Sequence, residues 1–330
     1  MNEITRRQRA KRDLAYRRLY AARVVLGDTV RGLHGCRNWH QYDQTFVEAV
    51  QNKNKLAHYQ HLQTCKSLWL CPLCSQAISA TRRETLNRIV SEERRIGNSV
   101  ALLTYTVSHR NTDSFATIRN QIVSAHAKMR SGKQWASLKD QTGYVGGVTS
   151  TEITNGSNGW HIHKHELISI SEHLTKSNVD GHFQKWRDEY LYQVERAGGS
   201  AIDSIGFDAV VAYGAIGSYV QKSGIVPELL STGTKSARGD NLLPFQILDR
   251  CFRSNFNMPV LQNAFREYAK ESHGMRQCVP SVNWRSRMLR EAKPAKGNYD
   301  RVIRIDDQEW RKICSFNAHS EVLEEIELGD

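Results

Sequence analysis

Three histidines at alternate positions, His161, His163 and His165, are the residues of this chain best suited to chemistry. If WHIHKHELISI (160–170) is a strand, alternate side chains share a face and all three imidazoles point the same way. Such a row is costly in a core and ill suited to a solvated sheet. What it suits is a divalent cation, held by imidazole nitrogens on one rigid element. The preceding segment YVGGVTSTEIT (144–154) alternates as a strand and breaks at Asn155-Gly156, which predicts a β-hairpin. Glu152 lies on that partner strand, placed to add a carboxylate ligand. A solvent-facing or phosphate-facing histidine patch is the plainer alternative.

A second set is built from sulfur. Four of the seven cysteines fall within 39 residues, as Cys36, Cys65, Cys71 and Cys74, and the last two enclose Pro72-Leu73 in a CxxC knuckle. In a reducing compartment that spacing predicts one structural Zn²⁺ on four thiolates rather than a disulfide framework. His34, His40, His58 and His61 are near enough in sequence to be rival ligands. Chance buried thiols are the alternative. A third constellation is Tyr219-Val220-Gln221-Lys222, which on a helix puts the phenol and the ammonium on one face. A tyrosine nucleophile needs its phenolate stabilised, and a lysine one turn away can do that. On its own, YxxK is read as a packed tyrosine.

The elements that must carry these residues follow from periodicity. Helices are predicted over about 3–26, 76–96, 115–130, 180–197 and 213–222, with two more over 244–252 and 258–272. Strands are predicted over 100–109, 144–154, 160–170 and near 208–212. Residues 33–75 read as irregular and Cys/His-rich, and 223–243, with their Gly, Ser and Thr, as a linker or loop. Strands and helices in this order predict an α+β fold.

Charge points to the partner. The 330 residues carry a formal net charge of +12, and residues 1–31 hold nine Arg or Lys against three Asp or Glu. The other end, residues 318–330, is acidic. A basic arm bearing Arg6, Arg7, Arg9, Arg12, Arg17 and Arg18 predicts contact with a polyanion such as DNA, the alternative being a solvated helix. No apolar run reaches the ~18–20 residues needed to span a bilayer, and no secretory signal is present, so a cytoplasmic protein without membrane partners is expected.

The order HxHxH, then YxxK some fifty residues on, resembles the HUH endonucleases, in particular the replication initiators (Rep proteins) of rolling-circle plasmids. The resemblance runs from about residue 36 to 290. It takes in CKSLWLCPLCSQAISATRR, LLTYTVSHR, TEITNGSNGWHIHKHELI and YVQK, then Glu228-Leu229-Leu230, Lys235, LLPFQIL (242–248), FREYAKESHGMRQC (265–278) and VNWRSRM (282–288). It implies a central antiparallel sheet with the histidines on its middle strand and flanking helices. It also implies a tyrosine, Tyr219, that nicks one strand at a plasmid origin, leaving a 5′-phosphotyrosine and a 3′-OH primer. Lys222 matches the motif lysine. The histidine pair, two of His161, His163 and His165 with His163 and His165 favoured, would hold Mn²⁺ or Mg²⁺. One departure is Lys164, where the family has a bulky apolar residue between the histidines. Another is Ala215, where some relatives carry a glutamate four residues before the tyrosine, which leaves Glu228 as the candidate carboxylate.

The organisation expected is a basic helical arm (1–32), a zinc-binding segment and helix (33–96), a nuclease core (97–225), a C-terminal helical region for origin recognition (226–300) and an acidic tail (301–330). Partners implied are origin DNA, single-stranded or in a hairpin, with host helicase and polymerase beyond it. Two other functions fit parts of the pattern: a single-strand transposase or relaxase using the same chemistry, and a non-catalytic zinc-containing DNA-binding regulator.

Overall fold

The computed structural model describes residues 3–41, 44–211, 241–290 and 299–328. Among these residues the fold is α+β, with two antiparallel sheets, and the chain divides into two compact units. One unit comprises residues 1–78, 245–269 and 294–330; the other comprises 79–244 and 270–293.

The second unit is built on a five-stranded sheet of order β6-β3-β5-β4-β7. Its strands are β3 (Ser99–Tyr105), β4 (Tyr144–Gly156), β5 (Gly159–Ile170), β6 (Phe207–Val211) and β7 (Cys278–Pro280). Strand β5 is therefore the middle strand. It pairs with β4 over the length of the hairpin, from Tyr144↔Ile170 to Gly156↔Gly159, leaving Ser157-Asn158 as a two-residue turn. Gly159 follows with φ +82°, a left-handed conformation that glycine adopts without a Cβ clash.

Register decides which side chains share a face. Opposite one another on one face lie Leu102, Leu167 and Val148, and further along it Thr104, His165 and Ser150. The apolar end of this face is covered by Leu86, Ile89 and Val90 of α2 (Pro72–Arg95) and by Trp284 of α8 (Val282–Arg290). A Cβ at Gly146 would sit 2.6 Å from the Trp284 ring, so glycine there is what lets the indole down onto the sheet. The opposite face carries Tyr105, Ile162, Lys164 and Glu166. Against it stand α3 (Phe115–Met129) and α5 (Gln184–Arg196), whose His126 and Tyr190 meet Tyr105 edge-on. Ser114 caps α3 by accepting from the Thr117 N–H at 3.2 Å. Between α3 and β4 runs α4 (Gly132–Gln141).

The first unit packs a three-stranded sheet, β2-β1-β8, of β1 (Val47–Asn52), β2 (Ala57–Gln60) and β8 (Tyr299–Ile305). Its buried face (Val47, Ala49, Ala57, Tyr59, Ile305) meets Tyr16 of α1 (Glu3–Leu26), Trp310 and Ile313 of α9 (Asp307–Ser315), and Leu323 and Ile326 of α10 (His319–Leu328). Residues 33–75, irregular by sequence, thus contain two strands, and the acidic end is a strand and two packed helices. Helices α6 (Pro244–Arg253) and α7 (Pro259–Glu271) match the two predicted there. Among the described residues, no helix is long and apolar enough to cross a membrane.

Candidate functional site

Strand pleating places His161, His163 and His165 in one row on β5. Their ring centroids are 6.4 and 6.0 Å apart, close to the two-residue repeat of a strand. They line an open cavity of about 790 Å³, whose wall also includes Thr104, His109, Glu152 and Asn158. Glu152 lies opposite His163 in the β4–β5 register, and its Oε2 is 3.1 Å from His165 Nε2. The other nitrogen of that ring, Nδ1, is 3.1 Å from Thr104 Oγ1, so His165 is fixed from both sides and buried. His163 has no ring hydrogen bond among the described residues. Burial, and the neighbouring His165 after it, push its pKa down to about 4, which keeps the imidazole neutral and its lone pair available at pH 7.

The back of the same strand explains the lysine between the histidines. Lys164 points away from the cavity, and its Nζ donates to Thr151 Oγ1 at 3.3 Å. Burial pushes its ammonium down to about 8 against the pull of Glu166. Glu166 is fully buried. Burial would raise its carboxyl, but Arg130 beside it, with His126, holds it down to about 2. Tyr105 also donates to it, at 3.0 Å. A lysine stands at this inward position because a buried carboxylate and two threonines, Thr151 and Thr149, make that side of the sheet polar.

The four predicted cysteines converge in the first unit. Their sulfurs all lie within 4.8 Å of one another, the only such group of three or more metal-ligating side chains among the described residues. Cys36 is 3.6 Å from both Cys71 and Cys74, and Cys65 is 3.7 Å from Cys74. A tetrahedron with Zn–S bonds of ~2.3 Å has sulfur–sulfur edges of about 3.8 Å, so the donor set and its size fit zinc. Left-handed backbone at Arg37 (φ +62°) and Lys66 (φ +52°) turns the chain sharply after each of the first two cysteines. The N–H groups of Ser67 and Cys74 donate back to Cys65 and Cys71 sulfur at 3.5 Å. The rival histidines are engaged elsewhere: His34 on Gly27 O at 2.7 Å, His61 on Glu48 at 3.1 Å, His40 beside Asp307, and His58 against Tyr299.

The arginines of α1 fall into two sets. Arg9 and Arg12 pair with Glu327 of α10 at 2.5 and 2.6 Å, and Arg18 grips Asp249 through Nε and Nη2 at 2.8 and 2.5 Å. Arg6, Arg7 and Arg17 are exposed; Arg7 holds only an exposed pair with Glu3. Part of the acidic end is thus a partner for the basic helix within one chain.

Tyr219, Lys222 and Glu228 lie outside the described residues. One cavity residue lies inside the LLTYTVSHR segment but was not among the expected site residues: His109, whose Nε2 is 2.8 Å from His161 Nδ1. The signal for it was its place just past the end of an apolar strand, in VALLTYTVSH, where a side chain reaches the sheet's rim.

The chain is similar to a Streptomyces lividans protein described as Protein rep, 24% identical over 242 residues, covering 57% of this chain and 53% of that one. It is also similar to a neomycin resistance protein of Streptomyces cyanogenus, 25% identical over 134 residues, or 33% of this chain and 31% of that protein. The matches take in about half and about a third of those relatives' lengths. No protein-family model and no solved structure matches the chain. The likeness to a Rep protein agrees with the resemblance carried by the sequence motifs.

Proposed function

We propose that this protein is a plasmid replication initiator of the HUH type, which nicks one strand of origin DNA through Tyr219. The observation that carries the reading is the row of histidines on the middle strand of an antiparallel sheet, opening on a cavity with Glu152 beside it. The likeness to a Streptomyces Rep protein supports it independently. His163 and His165, with Glu152 and His161 next to them, are the donor set for Mn²⁺ or Mg²⁺: the carboxylate suits either ion, and the imidazoles favour Mn²⁺ of the two. When bound, the cation supplies Lewis-acid polarisation of a phosphate.

The chain's own residues do the rest. Tyr219 loses its phenolic proton to solvent and attacks the scissile phosphorus; the P–O3′ bond breaks, and the leaving oxygen takes up a proton from solvent to become the 3′-OH. A phenol of pKa ~10 is a weak nucleophile at pH 7, and Lys222, three residues on in the sequence, is assigned to offset the developing negative charge. Glu228 is assigned to a later step, activating water to release the strand. Residues 97–225 are assigned to the nuclease, 226–300 to origin recognition with single-stranded or hairpin DNA, and 33–96 to a zinc-organised segment. Helicase and polymerase of the host would act on the exposed primer, in the cytoplasm.

Denaturing electrophoresis of the protein with a labelled single-stranded origin oligonucleotide tests this. The parent should form a covalent adduct in the presence of Mn²⁺, Tyr219→Phe none, and His163→Ala at least about tenfold less, with DNA binding retained. An adduct surviving in Tyr219→Phe assigns the chemistry to another residue. No adduct with the parent leaves a zinc-containing DNA-binding protein. A nick elsewhere than at a replication origin makes it a relaxase or transposase.

A further inference from the structure

The His109–His161 contact belongs to a chain of hydrogen bonds whose direction is fixed at one end. His109 Nδ1 is 3.1 Å from the carbonyl oxygen of Asn158, and a carbonyl can only accept, so Nδ1 carries the proton. In a neutral imidazole the other nitrogen then accepts. His109 Nε2 must take its hydrogen from His161 Nδ1, 2.8 Å away. His161 is thereby left with a lone pair on Nε2, the atom not engaged by His109.

The frame around His109 is made to hold that geometry. Its loop is tied to the second unit's own backbone by Thr106 N–H to Gly206 O at 2.9 Å and Ser108 N–H to Ser200 O at 2.7 Å. Just after it, Asp113 accepts from the Arg110 N–H at 2.7 Å. The hairpin turn that supplies the Asn158 carbonyl abuts the same loop: a Cβ at Gly159 would lie 3.2 Å from Asn111 Cα. The two rings stand nearly perpendicular, 4.0 Å between centroids, with no room for a bridging group.

We propose that His109 is a positioning residue: anchored on Asn158 O, it locks His161 in the Nδ1–H tautomer, so that His161 Nε2 serves as a third imidazole donor to the cation in the cavity. The proposal rests on the reading of that cavity as a cation site. It gives His161 a role that spacing left open among three histidines. It also gives each end of the row its own tether, Thr104 at His165 and His109 at His161, as ligating imidazoles require to hold their orientation.

The test is nitrogen NMR of the full-length, zinc-loaded protein labelled on histidine, free of added Mn²⁺. Long-range proton–nitrogen correlations should show His161 as the Nδ1–H tautomer in the parent. In His109→Ala it should revert towards Nε2–H, and in His109→Gln, whose amide oxygen can accept the same bond, Nδ1–H should persist. Mn²⁺ titration followed by electron paramagnetic resonance should show about tenfold weaker binding in His109→Ala and recovery in His109→Gln. An Nε2–H His161 in the parent, or a tautomer unmoved by His109→Ala, overturns the lock while leaving the nuclease reading intact. A parent with the stated tautomer that binds no Mn²⁺ overturns the cation reading, and with it the donor role of His161.

Discussion

The cysteine quartet and the histidine row are both sets of metal-type side chains, but they are brought together by different means. The cysteines come from three separate stretches, and turns at Arg37 and Lys66 aim them at one point, with sulfurs 3.6–3.7 Å apart. That spacing is the edge of a zinc tetrahedron, with no position left for another ligand. The histidines come from one strand, and their spacing is simply that of the pleat, 6.0–6.4 Å between rings. Two imidazoles sharing one ion at N–metal ~2.1 Å have centroids roughly 5 Å apart, so the row must rotate inward to grip a cation. A closed, preformed set serves folding; an open row on the wall of a cavity suits an ion that exchanges and a phosphate that comes and goes.

The largest effect should come from attacking the closed set. The segment from 33 to 75 supplies strands to a core shared with α1, α9 and α10, and zinc bound by its four thiolates would add its binding energy, on the order of 10 kcal/mol for structural sites, to the folding of that unit. Cys71→Ser with Cys74→Ser should therefore remove about one zinc per chain and abolish the cooperative unfolding of the first unit. His163→Ala should leave both zinc content and unfolding temperature alone. Elemental analysis with calorimetry decides this: unchanged zinc in the double serine variant would erase the distinction drawn between the two sets.

Legibility in the sequence followed the range of the interaction. The period-two histidines, the β-hairpin and the helix of α1 were readable, because strand, turn and helix patterns are local, although β4 runs on through Asn155-Gly156 and the turn falls two residues later, at Ser157-Asn158. The CxxC knuckle with two nearby cysteines was readable for the same reason. Strands β1 and β2 were hidden by the brevity of β2 and by the Cys- and His-rich stretch around them, although Asn52, whose Oδ1 accepts from the N–H groups of Asn54 and Leu56, marks the turn between them. Partners across hundreds of residues were invisible: nothing local says that Arg9 and Arg12 meet Glu327, or that Arg18 meets Asp249. His109 fell between the two cases: it stands in the LLTYTVSHR segment, but its contact with His161, fifty-two residues on, is made only in the folded chain.

Histidines sharpen the comparison, because the first unit holds one that packs instead of ligating. His319 is buried, stacked on Tyr16 with centroids 5.2 Å apart and edge-on to Trp310. Burial, with Arg23 adding to it, pushes its pKa down to about 4 from an ordinary value near 6.5. The unfolded chain therefore binds a proton that the folded one refuses. Stability from this residue is complete above pH ~6.5 and is lost as pH falls towards 4, by roughly 3 kcal/mol in all. His126 in the second unit shares the direction of shift, so His319→Phe should reduce the acid slope rather than remove it. Urea unfolding at several pH values between 4 and 7 measures this; an unaltered slope in the variant would mean that His319 does not titrate with folding.

The smallest effect concerns the arginines of α1, where the two sets make opposite predictions. Arg18 is buried against Asp249, and removing it strands a carboxylate without its partner, so Arg18→Gln should act on stability. Arg6, Arg7 and Arg17 face solvent, and the Arg7–Glu3 pair is too exposed to contribute much. Changing these three to Gln should leave unfolding within about 0.5 kcal/mol of the parent. If they touch DNA phosphates, fewer counterions are released on binding. The slope of log affinity against log salt should then flatten by up to about 0.9 for each phosphate no longer neutralised on duplex DNA, or about 0.7 on single strands. Fluorescence anisotropy with an origin oligonucleotide across a range of salt concentrations reads this directly. Parallel salt slopes for the triple variant and the parent would make the exposed arginines a solvated helix face, and would move the DNA-binding surface to other cations of the chain.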